Sequence, residues 1–221
     1  MNGIDLVIFD CDGVLVDSEM IASRELAAYL TDLGRPTTGA ECRAAFTGLS
    51  IQSVGEKVRG AWGVDLPADF AAALRERDRA AFERDLKAVP GVEAALDALS
   101  ARGLPFCVAS SGAPEKIRHS LALTGLLDRF DGHLFSAAQV ARGKPAPDLF
   151  LHAATAMGAE PGRCLVLEDS PAGVQGAVAA TMRAHGFTGA SHCTDATAPA
   201  LVAAGAVAIH PTMADFLSLL L

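Results

Sequence analysis

Short uninterrupted apolar runs alternate along most of the chain with amphipathic stretches bounded by Pro and Gly. The runs are Leu6–Phe9, Phe106–Ala109, His133–Phe135, Cys164–Leu167 and Ala206–Ile209, with a further one near Met182–Phe187. Runs this short and this apolar read as strands buried on both faces, the pattern of a parallel sheet. Between them, Val92–Arg102 stops at Gly103, Pro114–Leu123 stops near Gly125 and Pro147–Met157 stops at Gly158. Pro suits a first helical turn, where its missing N–H has no partner to lose, and Gly suits a helix end because it enters the left-handed region freely. Strand, helix and strand repeated in this way predict an α/β fold with a Rossmann-like three-layer parallel-sheet core.

Residues 19–87 break the alternation and read as helices only. Leu26, Ala27, Leu30 and Leu33 give one apolar face before Gly34, Thr38 with Glu41 forms a capping-box pattern, and Phe70–Leu86 is a long charged amphipathic helix. The expected organisation is a catalytic core of residues 1–17 and 88–221, with residues 18–87 as a small α-helical domain inserted after the first strand. Ala88-Val89-Pro90-Gly91 returns the chain to the sheet, and Trp62 and Phe70 are expected in the core of the helical domain.

Composition narrows the chemistry. The 221 residues are 51% hydrophobic and 20% charged, enough apolar surface for a folded core. A formal charge of −8 without a Lys/Arg run leaves no electrostatic footprint for nucleic acid. No apolar stretch reaches the ~20 residues of a membrane span. Cys11, Cys42, Cys107, Cys164 and Cys193 form no C-x-x-C pair, and the acidic start lacks signal-peptide character, so a reduced cytoplasmic setting is expected; nothing in the sequence fixes the oligomeric state, and a monomer is the favoured expectation. An acidic chain that handles an anionic ligand must concentrate positive charge locally, through a metal ion, a few cations or helix N-termini.

Four places carry such potential. The strand Leu6–Phe9 delivers Asp10 and, two residues on, Asp12 before Gly13. Carboxyl ends of strands in open parallel sheets form the ligand crevice, so one carboxylate can attack there while the other handles protons. An isolated Asp-x-Asp-Gly is more often an acidic turn. Phe106–Ala109 leads to Ser110, Ser111 and Gly112 before Pro114; these are either a phosphate cradle at a helix start or simple helix caps. Gly143-Lys144-Pro145 puts a lysine in a stiffened turn, and is not a P-loop, because Pro145 and Ala138 stand where Ser/Thr and Gly are required. By itself Lys144 is an ordinary surface lysine. Cys164–Leu167 delivers Glu168 and Asp169 ahead of Ser170, a predicted N-cap, and Pro171. Acids at a helix start complement its dipole, but the oxygen ligands Asp10 and Asp169 also suit Mg2+.

In combination, Asp10, Asp12, Gly13, Ser110, Lys144, Glu168 and Asp169 resemble the signature of the haloacid dehalogenase-like superfamily over the whole chain, and the helical insert resembles that family's small cap domain. The resemblance implies a phosphatase in which Asp10 attacks phosphorus and Asp12 acts as acid and base. It further implies Mg2+ held by Asp10, Asp169 and the Asp12 carbonyl, with Glu168 as a further ligand or as a partner behind them, and phosphate held by Ser110, Ser111, Gly112 and Lys144. Asp12 disfavours the dehalogenase branch, which has no leaving alkoxide to protonate. The branch resembling β-phosphoglucomutase uses a histidine and a cap arginine where this chain has Ala22 and Ile51. Hydrolysis of a small phosphate ester is therefore expected, in a bacterial branch that includes 6-phosphogluconate and other sugar-phosphate phosphatases. A non-enzymatic phospho-acceptor module would need neither Asp12 nor a cap. Substrate selection is assigned to Thr47, Ser50 and Gln52 in the cap, positions equally suited to turns or helix caps. The histidines show no metal-ligand spacing and are expected to be surface or structural residues, and alternation turns Cys11 away from its catalytic neighbours.

Overall fold

The computed structural model describes residues 3–47, 49, 51–130 and 132–220. The chain forms two compact units, Met1–Asp17 with Lys87–Leu221, and Ser18–Leu86.

The first unit is a six-stranded, wholly parallel sheet in the order β3-β2-β1-β4-β5-β6. Its strands are β1 (Leu6–Phe9), β2 (Phe106–Ser110), β3 (Leu134–Ser136), β4 (Cys164–Glu168), β5 (Arg183–Phe187) and β6 (Ala208–His210). The helices of this unit are α5 (Val92–Ala101), α6 (Pro114–Leu123), α7 (Asp148–Ala156), α8 (Pro171–Ala179), α9 (Thr197–Ala204) and α10 (Met213–Leu220), numbered after the four helices described in the other unit. The final strand starts two residues later than its apolar run predicts. Gly205 closes α9 in the left-handed region, and Ala206 N–H still bonds back to the Leu201 carbonyl, so pairing with β5 begins only beyond that turn.

Every side chain of β1 is fully buried, which requires cover on both faces. Leu6 and Ile8 join Cys107, Ala109, Cys164 and Val166 in packing on Leu149 and Phe150 of α7, Val174 of α8 and Leu201 of α9. On the opposite face Phe9 meets Phe106, Phe130 and Phe216 of α10 edge to face. A buried side chain of this size contributes about 1.5–3 kcal/mol. A one-residue slip of β1 would also draw the Asp10 carboxylate into the apolar layer, so packing and charge fix the same register.

The chain runs from β1 to β2 and β3 on one side, then returns to β4 on the other. The carboxyl ends of β1, β2 and β4 therefore lie together at the topological switch point, where open parallel sheets leave a crevice.

The second unit comprises α1 (Glu19–Asp32), α2 (Gly39–Phe46), α3 (Ile51–Trp62) and α4 (Phe70–Asp85). Leu26, Leu30, Phe46, Val58, Phe70 and Leu74 form its core, with Trp62 packed against it. Tyr29 stacks on Phe70 at 5.3 Å, and Arg24–Asp85 and Arg77–Asp32 tie α1 to α4 at 2.7 Å. The capping box of Thr38 and Glu41 opens α2.

Candidate active site

β1 ends where its backbone pairing with β4 continues one step further, through Asp10 N–H to the Leu167 carbonyl at 3.0 Å. The chain then turns tightly, with Leu15 N–H and Val16 N–H both donating to the Cys11 carbonyl and Gly13 N–H to that of Val16. Gly13 occupies the left-handed region at φ 79°, and a Cβ there would overlap the Asp169 carboxylate and the His192 ring. Both its conformation and its lack of a side chain are required, because the end of β4 is packed directly against this turn.

Lys144 organises the centre. Its Nζ donates to Asp10 Oδ1 at 2.6 Å, to Glu168 Oε1 at 2.5 Å and to the Ala109 carbonyl at the end of β2 at 2.9 Å. An ammonium has three N–H donors, and this arrangement uses all three. The side chain is 4% exposed and lies over the Phe150 ring. Burial alone would lower its pKa, but the Asp10 and Glu168 charges reverse that and raise it. Lys144 is thus a buried cation joining the ends of β1, β2 and β4, not a surface lysine.

Glu168 is fully buried, and its second oxygen accepts from Ser170 N–H at 3.0 Å and Ser170 Oγ at 2.9 Å. The Ser170 hydroxyl in turn accepts from Gly173 N–H and caps α8, as its sequence position predicts. A Cβ on Gly173 would occupy the space of the Glu168 carboxylate. With both oxygens engaged, Glu168 is the counter-ion of Lys144.

Asp10, Glu168 and Asp169 each offer a carboxylate oxygen within 4.8 Å of the others. Burial, reinforced by Glu168, Asp169 and Asp12 and opposed by Lys144, raises the Asp10 pKa well above the ordinary carboxylate range. Burial likewise raises Asp169, against the hydrogen bond from His192. The three buried acids outnumber the two cations set against them, Lys144 on Asp10 and Glu168 and His192 on Asp169, and their donors are all hard oxygens. That set fits a small divalent cation such as Mg2+, with Asp10 and Asp169 its natural carboxylates.

Asp12 pairs with Lys116 in the first turn of α6, Nζ to Oδ2 at 2.8 Å. Ser110 is buried at the end of β2, and its Oγ accepts from Gly112 N–H at 3.0 Å. The Ser136 hydroxyl donates to the Gly112 carbonyl at 2.6 Å, fixing the turn through Ser111. The helix-cap alternative for Ser110 and Ser111 does not hold: the N-cap of α6 is Ala113, and no side chain caps it. Thr47 donates its hydroxyl to the Arg43 carbonyl at the end of α2, Gln52 donates to Glu56 along α3, and Ser50 lies outside the described residues.

Two residues escaped the reading of the sequence. Lys116 follows the Ser110-Ser111-Gly112 turn closely enough to have been a candidate. His192 lies in the loop after β5, at the same carboxyl edge of the sheet, and its Nε2 is 3.0 Å from Asp169 Oδ2. Burial would lower the imidazole pKa, but the hydrogen bond and charge of Asp169 raise it to about 10. Cys11 is buried beside Asp12 and Asp10, and its thiol is pushed well up by burial and by those charges, which keeps it protonated.

A family model described as haloacid dehalogenase-like hydrolase matches residues 4–181. Among curated relatives, a 6-phosphogluconate phosphatase of Escherichia coli is 35% identical over 193 residues, covering 87% of this chain and 86% of that protein. A crystal structure of a conserved haloacid dehalogenase-like protein of unknown function from Agrobacterium tumefaciens is 38% identical with a TM-score of 0.85, covering 99% and 98% of the two chains. A HAD family hydrolase from Deinococcus radiodurans, solved with bound phosphate and sodium, is 32% identical with a TM-score of 0.83, covering 100% and 96%.

Proposed function

The chain belongs to the haloacid dehalogenase-like hydrolases, and from that premise we propose that it is a Mg2+-dependent phosphoric monoester hydrolase acting on a small sugar phosphate through an aspartyl-phosphate on Asp10. The observation that carries this reading is the buried trio of Asp10, Glu168 and Asp169 at the ends of β1 and β4, with Lys144 joining the first two. The 6-phosphogluconate phosphatase relative supports a sugar phosphate as the substrate class.

A divalent cation held by Asp10 and Asp169 would reduce the repulsion between an anionic nucleophile and an anionic phosphate. The remaining steps belong to the chain. Lys144 holds Asp10 Oδ1, which leaves Oδ2 as the attacking oxygen. Because all three Lys144 donors are engaged, the ammonium contacts a phosphate oxygen only by exchanging one of its present partners. The turn through Ser110, Ser111 and Gly112 offers the Ser110 hydroxyl to another phosphate oxygen, and the Gly112 N–H once its bond to Ser110 Oγ is exchanged. Asp12 gives a proton to the leaving oxygen and takes one from the water that hydrolyses the intermediate. Its contact with Lys116 suits the second of these steps directly, while the first requires Asp12 to arrive protonated.

The test is release of inorganic phosphate from a panel of sugar phosphates, with and without Mg2+. Turnover is expected only with the metal, and equal turnover in a metal-chelated sample refutes the mechanism. A mutase would instead convert a sugar 1-phosphate in the presence of glucose 1,6-bisphosphate without net phosphate release; Ala22 and Ile51 favour hydrolysis.

A further inference from the structure

The loop that follows β5 is built to deliver one side chain. It leaves the sheet with Thr188 N–H bonded to the His210 carbonyl. Gly189 then passes so close to the Pro211 carbonyl and the Phe187 ring that a Cβ would collide with both. Ser191 clamps the loop to the first-strand segment, its N–H and its Oγ both donating to Asp17 Oδ1 at 3.1 and 2.8 Å. Cys193 N–H closes a turn onto the Ala190 carbonyl. Held at both ends, the loop sets the His192 ring against the ends of β1 and β4, with its side chain 6% exposed.

The polar contacts of that ring point one way. Nε2 meets Asp169 Oδ2 at 3.0 Å, with Cys193 Sγ farther off at 3.7 Å, whereas Nδ1 is buried without a hydrogen-bond partner among the described residues. A buried nitrogen of this kind costs free energy, and an apolar residue would fill the same space without that cost. What the imidazole contributes over an apolar residue is the Nε2–H bond to Asp169.

We propose that His192 is a positioning residue of the metal centre: by holding Asp169 Oδ2 through Nε2–H, it leaves Oδ1 as the oxygen that takes the cation. This rests on reading Asp10, Glu168 and Asp169 as a metal site. An outer hydrogen bond of this kind orients a ligating carboxylate before the metal arrives, and loss of such partners weakens metal binding roughly 10–100-fold. Gly13 is part of the same device, since its missing side chain leaves room for both Asp169 and His192.

The experiment is direct titration of the full chain with Mn2+, followed by the electron paramagnetic resonance of the free ion, in wild type, His192→Ala and His192→Gln. A Gln amide reaches the position of Nε2 and can donate in its place. Expected is a Kd for Mn2+ roughly 10–100-fold weaker in the Ala variant, restoration close to wild type by Gln, and a kcat at saturating metal that recovers in both. Wild-type affinity in a folded Ala variant overturns the proposal while leaving the metal site intact. If the Ala variant does not fold, His192→Asn replaces it, since the shorter amide falls short of Asp169. Weaker binding in Asn than in Gln then supports the proposal, and equal binding overturns it. Absence of Mn2+ binding by the wild type removes the metal site itself and the proposal with it.

Discussion

Replacing Lys144 with methionine removes the cation that faces both Asp10 and Glu168 while keeping most of the side-chain volume. The ammonium is 4% exposed, and its partners are 10% and 0% exposed. Water therefore does little to screen the two carboxylates it would leave behind. Removing one partner of a buried ion pair costs about 3–5 kcal/mol, because the remaining charge stays buried. A domain stability of about 5–15 kcal/mol survives such a loss, but at 2–4 °C per kcal/mol the melting temperature should fall by roughly 10 °C. The assay is a melt followed by far-ultraviolet circular dichroism near neutral pH without divalent metal. Two features distinguish lost charge from lost packing. The deficit should shrink as the pH is lowered, because Asp10, already raised by burial, and its neighbours can take up protons. Adding Glu168→Gln to the variant should recover part of the loss. A Lys144→Met protein melting within about 2 °C of wild type would refute the reasoning, since that shift corresponds to less than ~1 kcal/mol.

Three further outcomes follow from the same geometry. Gly13→Ala forces a side chain into the Asp169 carboxylate and the His192 ring at φ 79°, and kcat/KM should drop on the order of 100-fold in a protein that still melts cooperatively. Mg2+ should raise the melting temperature more at mildly alkaline than at mildly acidic pH: Asp10 and Asp169 have raised pKa values, so each proton that the metal must displace is bound at low pH and gone above those values. His185 and His210 form a buried pair, Nε2 of His210 to Nδ1 of His185 at 2.9 Å, in which burial and His210 lower His185 from 6.5 to about 4. Between those values the unfolded chain binds the proton and the folded one does not, so stability should fall with decreasing pH by at most about 1.4 kcal/mol per unit, and His185→Gln should flatten that slope in denaturant titrations.

How far the fold and site were legible depended on whether a residue's partner was local. β1 could be read because four apolar residues in a row have one stable destination, the centre of a parallel sheet. The caps at Thr38 and Ser170 could be read because each bonds within three residues of itself. Lys144 was harder: its motif was visible, but its burial depends on Asp10 and Glu168, whose carboxylates meet it only once β1 and β4 are side by side. His192 was hidden for the same reason. A histidine in a Gly-Ala-Ser-His loop carries no spacing signal, and only the packing of the loop after β5 against β4 and the Gly13 turn gives it a partner. Ser110 shows the converse, where a locally plausible helix cap gave way to a turn closed by Gly112 and held by Ser136 from the neighbouring strand.

The claim on which the account depends is that Asp10 becomes covalently phosphorylated. Rapid-quench mass spectrometry of the enzyme mixed with a sugar phosphate that it hydrolyses, in Mg2+, should find a phosphoryl adduct on the peptide containing Asp10 during turnover. The adduct should be absent, and turnover lost, in a folded Asp10→Asn protein. Turnover by Asp10→Asn at the wild-type rate, or an adduct on another residue, would contradict it.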